Sequence, residues 1–395
     1  MSNPSIAFAR PSLFAVCTAG LLVLAIAMGI GRFAFTPMLP LMIRAGSTDV
    51  VTGGWLAAAN YLGYLLGALT AARVPLSPQR TGLLSLAAIV LSTAAMGLVD
   101  SVAAWLLLRG IAGVASAWAL VSTSVWCLSW LASLGRPSGA GVVYAGVGVG
   151  IALAGLYCWR AGAADIAADR LWLQLGLLAL VGSLVVAALL PRGAAPVPAA
   201  TARAADGASG WDLVICYGVL GFGYILPATF LPVLARAVVD DPSVFGAAWP
   251  VFGAAAALST LFAGALLAGL SRRQVLAASH LLMALGCLLP VLHLSAGTVL
   301  AAALLVGGTF MVATMAGMQE AKATATGDPA RALGRMTAAF AIGQMAGPVL
   351  SSVLSGATAG FAGLFAALGI GAVALLGSAA WLLRKHAQAV RQSSN

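Results

Sequence analysis

Apolar stretches, each about long enough to cross a membrane, follow one another through the whole chain. A helix needs about 20 apolar residues to cross the hydrocarbon core of a bilayer, and by that rule the sequence predicts twelve crossings. Backbone groups in hydrocarbon have to be satisfied within the protein, so runs of this length are predicted to be α-helices. The predicted spans are 13–36, 51–71, 82–100, 102–125, 138–159, 171–190, 212–235, 245–269, 274–293, 298–319, 336–357 and 360–383.

The low content of charged residues also predicts an all-α membrane protein. Only 8% of the 395 residues are charged, against about 25% in soluble domains. The net charge of +10 does not indicate nucleic-acid binding, because the basic residues gather in short segments between apolar stretches. No cleavable signal is predicted, since the apolar stretch that begins near Leu13 is too long for one.

The distribution of basic residues predicts the orientation in the membrane. With the N-terminus inside, the inner segments contain fourteen of the twenty Lys and Arg residues and the outer loops contain four. Cytoplasmic segments carry the excess of Lys and Arg. We therefore expect a multi-pass protein of a bacterial-type inner membrane, with both termini in the cytoplasm.

The two halves of the chain repeat one unit. The segment GIGRFAFTPMLPLMIR from Gly29 to Arg44 returns 192 residues later as GFGYILPATFLPVLAR, from Gly221 to Arg236. The stretch 191–211, rich in Pro, Ala and Gly, is typical of a flexible linker. The sequence thus predicts a six-helix half at 1–190, a cytoplasmic linker at 191–211, and a six-helix half with a short cytoplasmic tail at 212–395. Matching spans share one orientation, which predicts two parallel six-helix repeats about an axis along the membrane normal.

Three features resemble the major facilitator superfamily. They are the six-plus-six arrangement, the RGIAGVASA segment from Arg109 to Ala117, and the inner-loop segment from Gly264 to Arg273. In that loop Ala268 stands where the superfamily usually has aspartate. The opening GIGRFAFTPMLPLM is similar to that of the bacterial YbfB/YjiJ-type permeases. The resemblance implies alternating access by two rocking halves, with spans one, four, seven and ten around a central cavity.

Arg32 is the first candidate for a substrate-binding residue. It lies twelve residues before Arg44, which places it about 18 Å from the outer headgroups and close to the membrane midplane. A buried arginine at that depth is costly and is by default functional. The alternative is a structural arginine that bonds the carbonyl groups freed by Pro37 and Pro40.

Further candidates surround this position in the predicted cavity. Arg109 lies nine residues after Asp100, about 13 Å into the membrane; it faces the cavity or pairs with a rim acid, Asp100 or Asp49. Two cavity arginines favour a small organic anion, because a guanidinium binds a carboxylate with two parallel hydrogen bonds. The remaining predicted substrate contacts are Tyr224, Asn60, Tyr61 and Gln344.

A second set of residues is predicted to act in coupling or gating. Glu320 ends span ten at the cytoplasmic rim, where it either takes part in the cycle or pairs with Lys322, Arg331 or Arg335. The glycines at small-xxx-small spacing either pack helices within a half or, because both halves repeat them, lie at the interface between the halves. This set comprises Gly146, Gly150, Gly343, Gly347 and the hinge Pro348.

Other functions are less consistent with the sequence. No catalytic motif is found, so no enzyme activity and no cofactor are predicted, and the five separate cysteines and three scattered histidines indicate no metal site. The expected partners are a small-molecule substrate and the lipid bilayer, without nucleic acid; a coupling proton and the oligomeric state stay open. One alternative is proton-linked export of a neutral or amphipathic metabolite or drug. Another is a membrane sensor or scaffold that transports nothing.

Overall fold

The computed structural model describes residues 11–190, 210–238, 246–266, 269–324 and 329–393, and all regular structure in these ranges is helical. We number its twelve long helices in chain order. They are α1 (Leu13–Arg44), α2 (Val50–Thr70), α3 (Pro78–Ala95), α4 (Val102–Ser133), α5 (Ala140–Ala163), α6 (Ala168–Leu189), α7 (Trp211–Val238), α8 (Ala248–Leu266), α9 (Arg272–Leu292), α10 (Ala296–Thr324), α11 (Pro329–Ala357) and α12 (Ala362–Ser393). The predicted fold class is confirmed.

Nine of the helices in the described ranges are long and apolar enough to cross a membrane. The other three are α2, α3 and α8, for which local composition gives the reason. Helix α2 carries Asn60, Tyr61 and Tyr64, the 18 residues of α3 include the polar Gln79 and Arg80, and the apolar part of α8 is the short stretch Ala248–Phe262. Helix α2 is less apolar because it faces polar groups inside the bundle.

Polar residues begin several of these helices. The Asp49 side chain accepts a hydrogen bond from the Thr52 amide at the start of α2. Ser271 and Gln274 form a reciprocal capping box at the start of α9. Such caps satisfy amide groups that have no partner within the helix, so the turns between spans are fixed by the sequence itself.

The two six-helix sets meet along two helix pairs and along α1 and α7. Helix α2 packs against α11, where the Ser352 hydroxyl donates to the Val51 carbonyl at 3.0 Å. Helix α5 packs against α8, where Gly148 lies directly against the backbone of Gly253 and Ala257. The α2–α11 contacts lie at the end of the bundle away from Leu190 and Trp211, which we call the far end; the opposite end is the linker end. The predicted boundaries at 190 and 211 stay predictions, because residues 191–209 lie outside the described ranges.

The four repeated glycines are not at the interface between the halves, which corrects one expectation. A side chain on Gly146 or Gly150 would overlap with the α1 backbone, at Leu21 and Ala25 respectively. In the second half, Gly343 lies against α7 at Gly218, and Gly347 lies against α7 at Ile225. These glycines permit close approach of the fifth helix to the first within each half. Pro348 does lie at the interface, since its carbonyl faces Gly54 of α2.

Helix α1 changes its winding in the middle of the bundle. It is α-helical over Leu13–Leu24, π-helical over Ala25–Phe33 and α-helical again over Phe35–Arg44. π-Helical turns are rare and occur often at functional sites. Pro37 and Pro40 follow directly and have no N–H to donate, so carbonyl groups in this part of α1 need donors from elsewhere.

Candidate functional site

Arg32 lies at the end of the π-helical turn, between the two halves of the bundle. Its side chain is 2% exposed, and its Nη2 donates a hydrogen bond of 2.5 Å to Oε1 of Gln344 on α11. Arg32 therefore contacts the other half rather than the carbonyl groups of its own helix. In the structural alternative, Arg32 would donate to the carbonyl groups freed by Pro37 and Pro40. The structure shows a bond to the Gln344 side chain instead.

Aromatic rings hold the Arg32 guanidinium from several sides. Its Cζ lies 3.9 Å from the centre of the Tyr64 ring, 5.0 Å from that of Tyr61 and 5.2 Å from that of Phe33. A cation over an aromatic face gains about 0.5–2 kcal/mol, with the larger value in desolvated sites. These rings offset part of the cost of a buried charge and fix the orientation of the guanidinium.

Gln344 joins two residues that occupy the same position in the two repeats. Its Oε1 accepts from Arg32, and its Nε2 donates to the hydroxyl of Tyr224 on α7. Arg32 and Tyr224 lie 192 residues apart and correspond to each other in the repeat. The buried Gln344 carboxamide therefore connects Arg32 in the first half to Tyr224, the equivalent residue of the second half.

Arg109 has the structural role that the sequence analysis considered for Arg32. Its Nη1 and Nη2 donate to the carbonyl oxygens of Gly31 and Arg32, at 3.4 and 3.1 Å. The Asn60 amide donates to the Gly31 carbonyl at 3.4 Å and to the Arg109 carbonyl at 2.9 Å. Arg109 thus supports the π-helical turn and does not form the ion pair with Asp100 or Asp49 that was the alternative to a position facing the cavity.

The site combines positive charge with unused hydrogen-bonding groups. Nε of Arg32, Nε of Arg109 and Oδ1 of Asn60 are buried and have no hydrogen-bond partner among the described residues. The ion pairs found in the described ranges are Arg44–Asp165, Arg273–Asp212 and Arg273–Glu320. None of them includes Arg32 or Arg109, so both buried guanidinium groups lack a carboxylate partner in this part of the chain.

All the predicted substrate-binding residues lie in this one network. Tyr61, which is 3% exposed, has its hydroxyl 3.4 Å from that of Thr229 on α7. The structure thus brings together Arg32, Arg109, Tyr224, Asn60, Tyr61 and Gln344. Their direct contact with a solute stays a prediction.

Sequence reasoning missed the aromatic residues behind Tyr224. Its ring stacks on Phe310 at 5.4 Å and on Phe340 at 5.5 Å between ring centres. Phe310 belongs to α10, one of the four spans that the superfamily resemblance places around the cavity. That resemblance was the one signal for Phe310. Phe340 on α11 had none, because phenylalanine in an apolar span fits lipid contact equally well.

Glu320 belongs to a charged cluster at the linker end of the second half. It accepts a hydrogen bond of 2.7 Å from Nε of Arg273 on α9, and Nη1 of Arg273 reaches Asp212 on α7 at 3.3 Å. This partner differs from the three that the sequence analysis named. Arg335 lies over the Trp211 ring instead, and the side chains of residues 322 and 331 lie outside the described part of the structure. The cluster joins helices of one half only.

An apolar groove on the surface of the bundle is separate from this network. It lies along α2, α3 and α4, has a volume of about 490 Å³ and is lined by residues such as Leu62, Leu84, Leu107 and Trp118. None of the charged site residues lines it. Its apolar lining is typical of a surface that faces lipid tails.

Comparison with known proteins identifies the family. The sequence matches the family described as "Uncharacterised MFS-type transporter YbfB" over residues 24–383. The chain belongs to this family of major facilitator transporters. It is therefore a multi-pass membrane transporter rather than an enzyme, as the resemblance of its opening segment implied. No curated protein matches the chain.

Solved structures of other transporters share the fold of this family member. The nucleoside transporter NupG, crystallised as a D323A mutant, superposes with a TM-score of 0.75 at 14% identity, over 93% of this chain and 99% of NupG. A bacterial homologue of the human lysosomal transporter Spinster superposes with a TM-score of 0.68 at 16% identity, over 95% of each chain. The human organic anion transporter MFSD10 superposes with a TM-score of 0.63 at 17% identity, over 94% of this chain and all of MFSD10. At these identities the comparison establishes the fold and leaves the substrate open.

Proposed function

We propose that the protein is a secondary active transporter that moves a small carboxylate-bearing solute across the inner membrane by alternating access. The observation that supports this proposal is Arg32, a cation that is 2% exposed and bonds a neutral amide where the halves meet. The substrate class rests on this residue, because the structural neighbours carry solutes of several kinds.

A buried cation without a counter-ion is expensive to keep. An arginine at the centre of a membrane helix costs about 2.5–3.5 kcal/mol on insertion scales. All ten acidic residues lie in loops or near predicted helix ends, and none of those within the described ranges pairs with Arg32. An anionic solute provides the missing charge during the transport cycle.

The Gln344 carboxamide occupies the position where the solute's carboxylate would bind. A carboxamide and a carboxylate have the same planar shape, and the amide already contacts both Arg32 and Tyr224. A carboxylate in its place accepts from the guanidinium with one oxygen and from the Tyr224 hydroxyl with the other. The exchange replaces a hydrogen bond to a neutral group by a stronger, charge-assisted one.

Replacement of the Gln344 amide by the solute's carboxylate gives a physical basis for alternating access. In the structure, the amide links α11 to α1 across the interface between the halves. A bound carboxylate releases Gln344 from Arg32, so the halves are joined through the solute instead. A ligand changes a conformational equilibrium only by the difference in its affinity for the two states, and this bond supplies such a difference.

The experiment compares acids with their amides. Purified protein is heated with monocarboxylates or with the corresponding primary amides, since a ligand present at 100 times its Kd stabilises the folded state by about 2.7 kcal/mol. We expect the acids to raise the melting temperature and the amides to have no effect. The matched control is Arg44→Ala, on the same helix but exposed beside Asp165, which should respond as the wild type does. Equal stabilisation by the amides would overturn the proposal.

A further inference from the structure

A continuous column of aromatic rings runs through the second half beside the Arg32 site. Neighbouring ring centres lie 4.7–5.5 Å apart, and four of the five contacts are stacked rather than tilted. In order along the column, the residues are Tyr217, Phe340, Tyr224, Phe310, Phe252 and Trp249.

The column and the charge form one site. Tyr224, in the middle of the column, binds the Gln344 amide that Arg32 also binds. At one end, the Trp249 ring reaches Phe33 of the first half at 6.2 Å, and Phe33 is the neighbour of Arg32 in the chain. Tyr61 and Tyr64 cover the guanidinium from the first half. Three rings of the first half thus contact the Arg32 guanidinium, and one of them, Phe33, connects it to the six-ring column of the second half.

The column gathers six aromatic rings in a chain that has few of them. Aromatic residues make up 7% of the sequence and glycine alone contributes 47 residues, so most helix contacts here are made by small and aliphatic side chains. An aliphatic acid would be accommodated by leucine or valine, which the chain has in abundance. The faces of the Tyr224 ring are covered by Phe310 and Phe340, so the edges of these rings favour a planar aromatic partner in edge-to-face contact.

We infer that the solute is a compact aromatic carboxylate, an inference that rests on the proposed function and specifies its substrate class. Its carboxylate takes the place of the Gln344 amide on Arg32, and its ring lies against the Tyr224–Phe310 part of the column. A single carboxamide separates the Arg32 guanidinium from the Tyr224 hydroxyl. An acid group attached directly to a ring, or one methylene away from it, keeps the ring close to Tyr224 while the carboxylate binds Arg32.

The test compares acids that differ only in the ring. Benzoate and cyclohexanecarboxylate are similar in size and both are ionised at neutral pH, and phenylacetate and cyclohexylacetate form a second pair. The saturated rings are the more hydrophobic, so apolar burial alone favours them. We expect calorimetric titration of the purified protein to show each aromatic acid binding about two- to tenfold more tightly than its saturated partner, which is the range for an added aromatic pair.

Substitutions in the column test whether its rings cause the preference for aromatic acids. Phe310→Leu and Phe340→Leu should each bring the aromatic-to-saturated affinity ratio close to one while binding of the saturated acid persists. Phe262→Leu is the control, because its ring is 55% exposed on the surface of α8; its ratio should equal that of the wild type. The ratio is measured only on protein that unfolds cooperatively, and two separate column variants protect the test against misfolding of one.

The outcomes separate this inference from the proposed function. Equal affinity within each pair, with saturable binding of both acids, overturns the aromatic preference and leaves an anion transporter. Binding of benzyl alcohol as tight as that of benzoate overturns the anion proposal, since that probe has the ring without the charge. Absence of saturable binding by all four acids overturns both.

Discussion

Thr36 donates a hydrogen bond of 2.9 Å to the carbonyl oxygen of Ala228, the residue at its own position in the second repeat. The contact between two equivalent positions places the pseudo-two-fold axis of the repeats between α1 and α7. The Ala228 carbonyl is available because Pro232, four residues later, has no N–H to donate to it. The proline that is repeated in both halves thus creates the acceptor that joins them.

Loss of this bond should loosen the contact between the halves on the far side of the site. Thr36→Val keeps the shape of the side chain and leaves a buried carbonyl unpaired, which costs about 1–3 kcal/mol. We expect spin labels at Ser47 and Ala359, both exposed at the far end, to show a broader and longer distance distribution. Thr337→Val is the control, since its hydroxyl bonds only within its own helix. An unchanged distribution in Thr36→Val would show that the bond does not hold the two halves together at the far end.

Removal of Arg32 should abolish anion binding without unfolding the protein. Because Arg32 has no carboxylate partner among the described residues, Arg32→Ala removes a costly buried charge, and the melting temperature should stay within a few degrees of the wild type. Arg32→Lys should bind more weakly than wild type, since it keeps the charge and loses the planar fork. A charge-assisted hydrogen bond contributes about 1.5–3 kcal/mol, so loss of one such bond in Arg32→Lys should lower the affinity roughly ten- to a hundredfold. Tyr224→Phe should have a milder effect.

The Arg32 variants are measured by titration calorimetry beside their melting curves. Wild-type affinity in Arg32→Ala, or failure of that variant to fold, would mean that Arg32 serves the fold.

Removal of Arg109 should destabilise the protein more than removal of Arg32. Arg109→Ala removes the side-chain donor to the Arg32 carbonyl and leaves the Gly31 carbonyl with Asn60 alone, and an unpaired buried group costs about 1–3 kcal/mol. We expect a lower melting temperature and a smaller folded fraction in membranes. If instead Arg109→Ala unfolds at the wild-type temperature and only loses anion binding, Arg109 contacts the solute rather than supporting the turn.

Substitution by leucine should have different effects at two nearby glycines of α5. Gly150→Leu should reduce the amount of folded protein, because its side chain would overlap with Ala25 within the first half. Gly148→Leu should reduce transport more than folding, because it meets Ala257 across the interface between the halves. Gly141→Leu on the same helix has open space around it and serves as control. Uptake into proteoliposomes and fluorescence-detected size exclusion measure the two effects. Equal loss of transport and of folded protein in Gly148→Leu would contradict the role of Gly148 at the interface between the halves.

The orientation of the protein is tested by reporter fusions. The distribution of Lys and Arg predicts that the linker and both termini are cytoplasmic. Alkaline phosphatase fused after Arg203 or after Asn395 should be inactive, and green fluorescent protein at the same points should fluoresce. A periplasmic signal from either fusion would reverse the predicted topology.

The sequence by itself determined the helical class, the twelve-helix plan and the repeat. It also singled out Arg32, because a charge in an apolar run is visible without a structure, and aligned it with Tyr224 through the repeat. These features follow from composition, segment length and internal similarity, which need no knowledge of how helices are rotated or which of them meet.

Only the tertiary structure decided which partner each residue has. Gln344 is the amide shared by Arg32 and Tyr224, Arg109 supports the turn, and Gly150 packs within one half. In a soluble helix the apolar face shows the side that is buried. In a membrane the lipid is as apolar as the protein interior, so both faces of a helix carry similar residues. The rotation of each span, and with it the place of Phe340 in the aromatic column, therefore had no clear signal in the sequence.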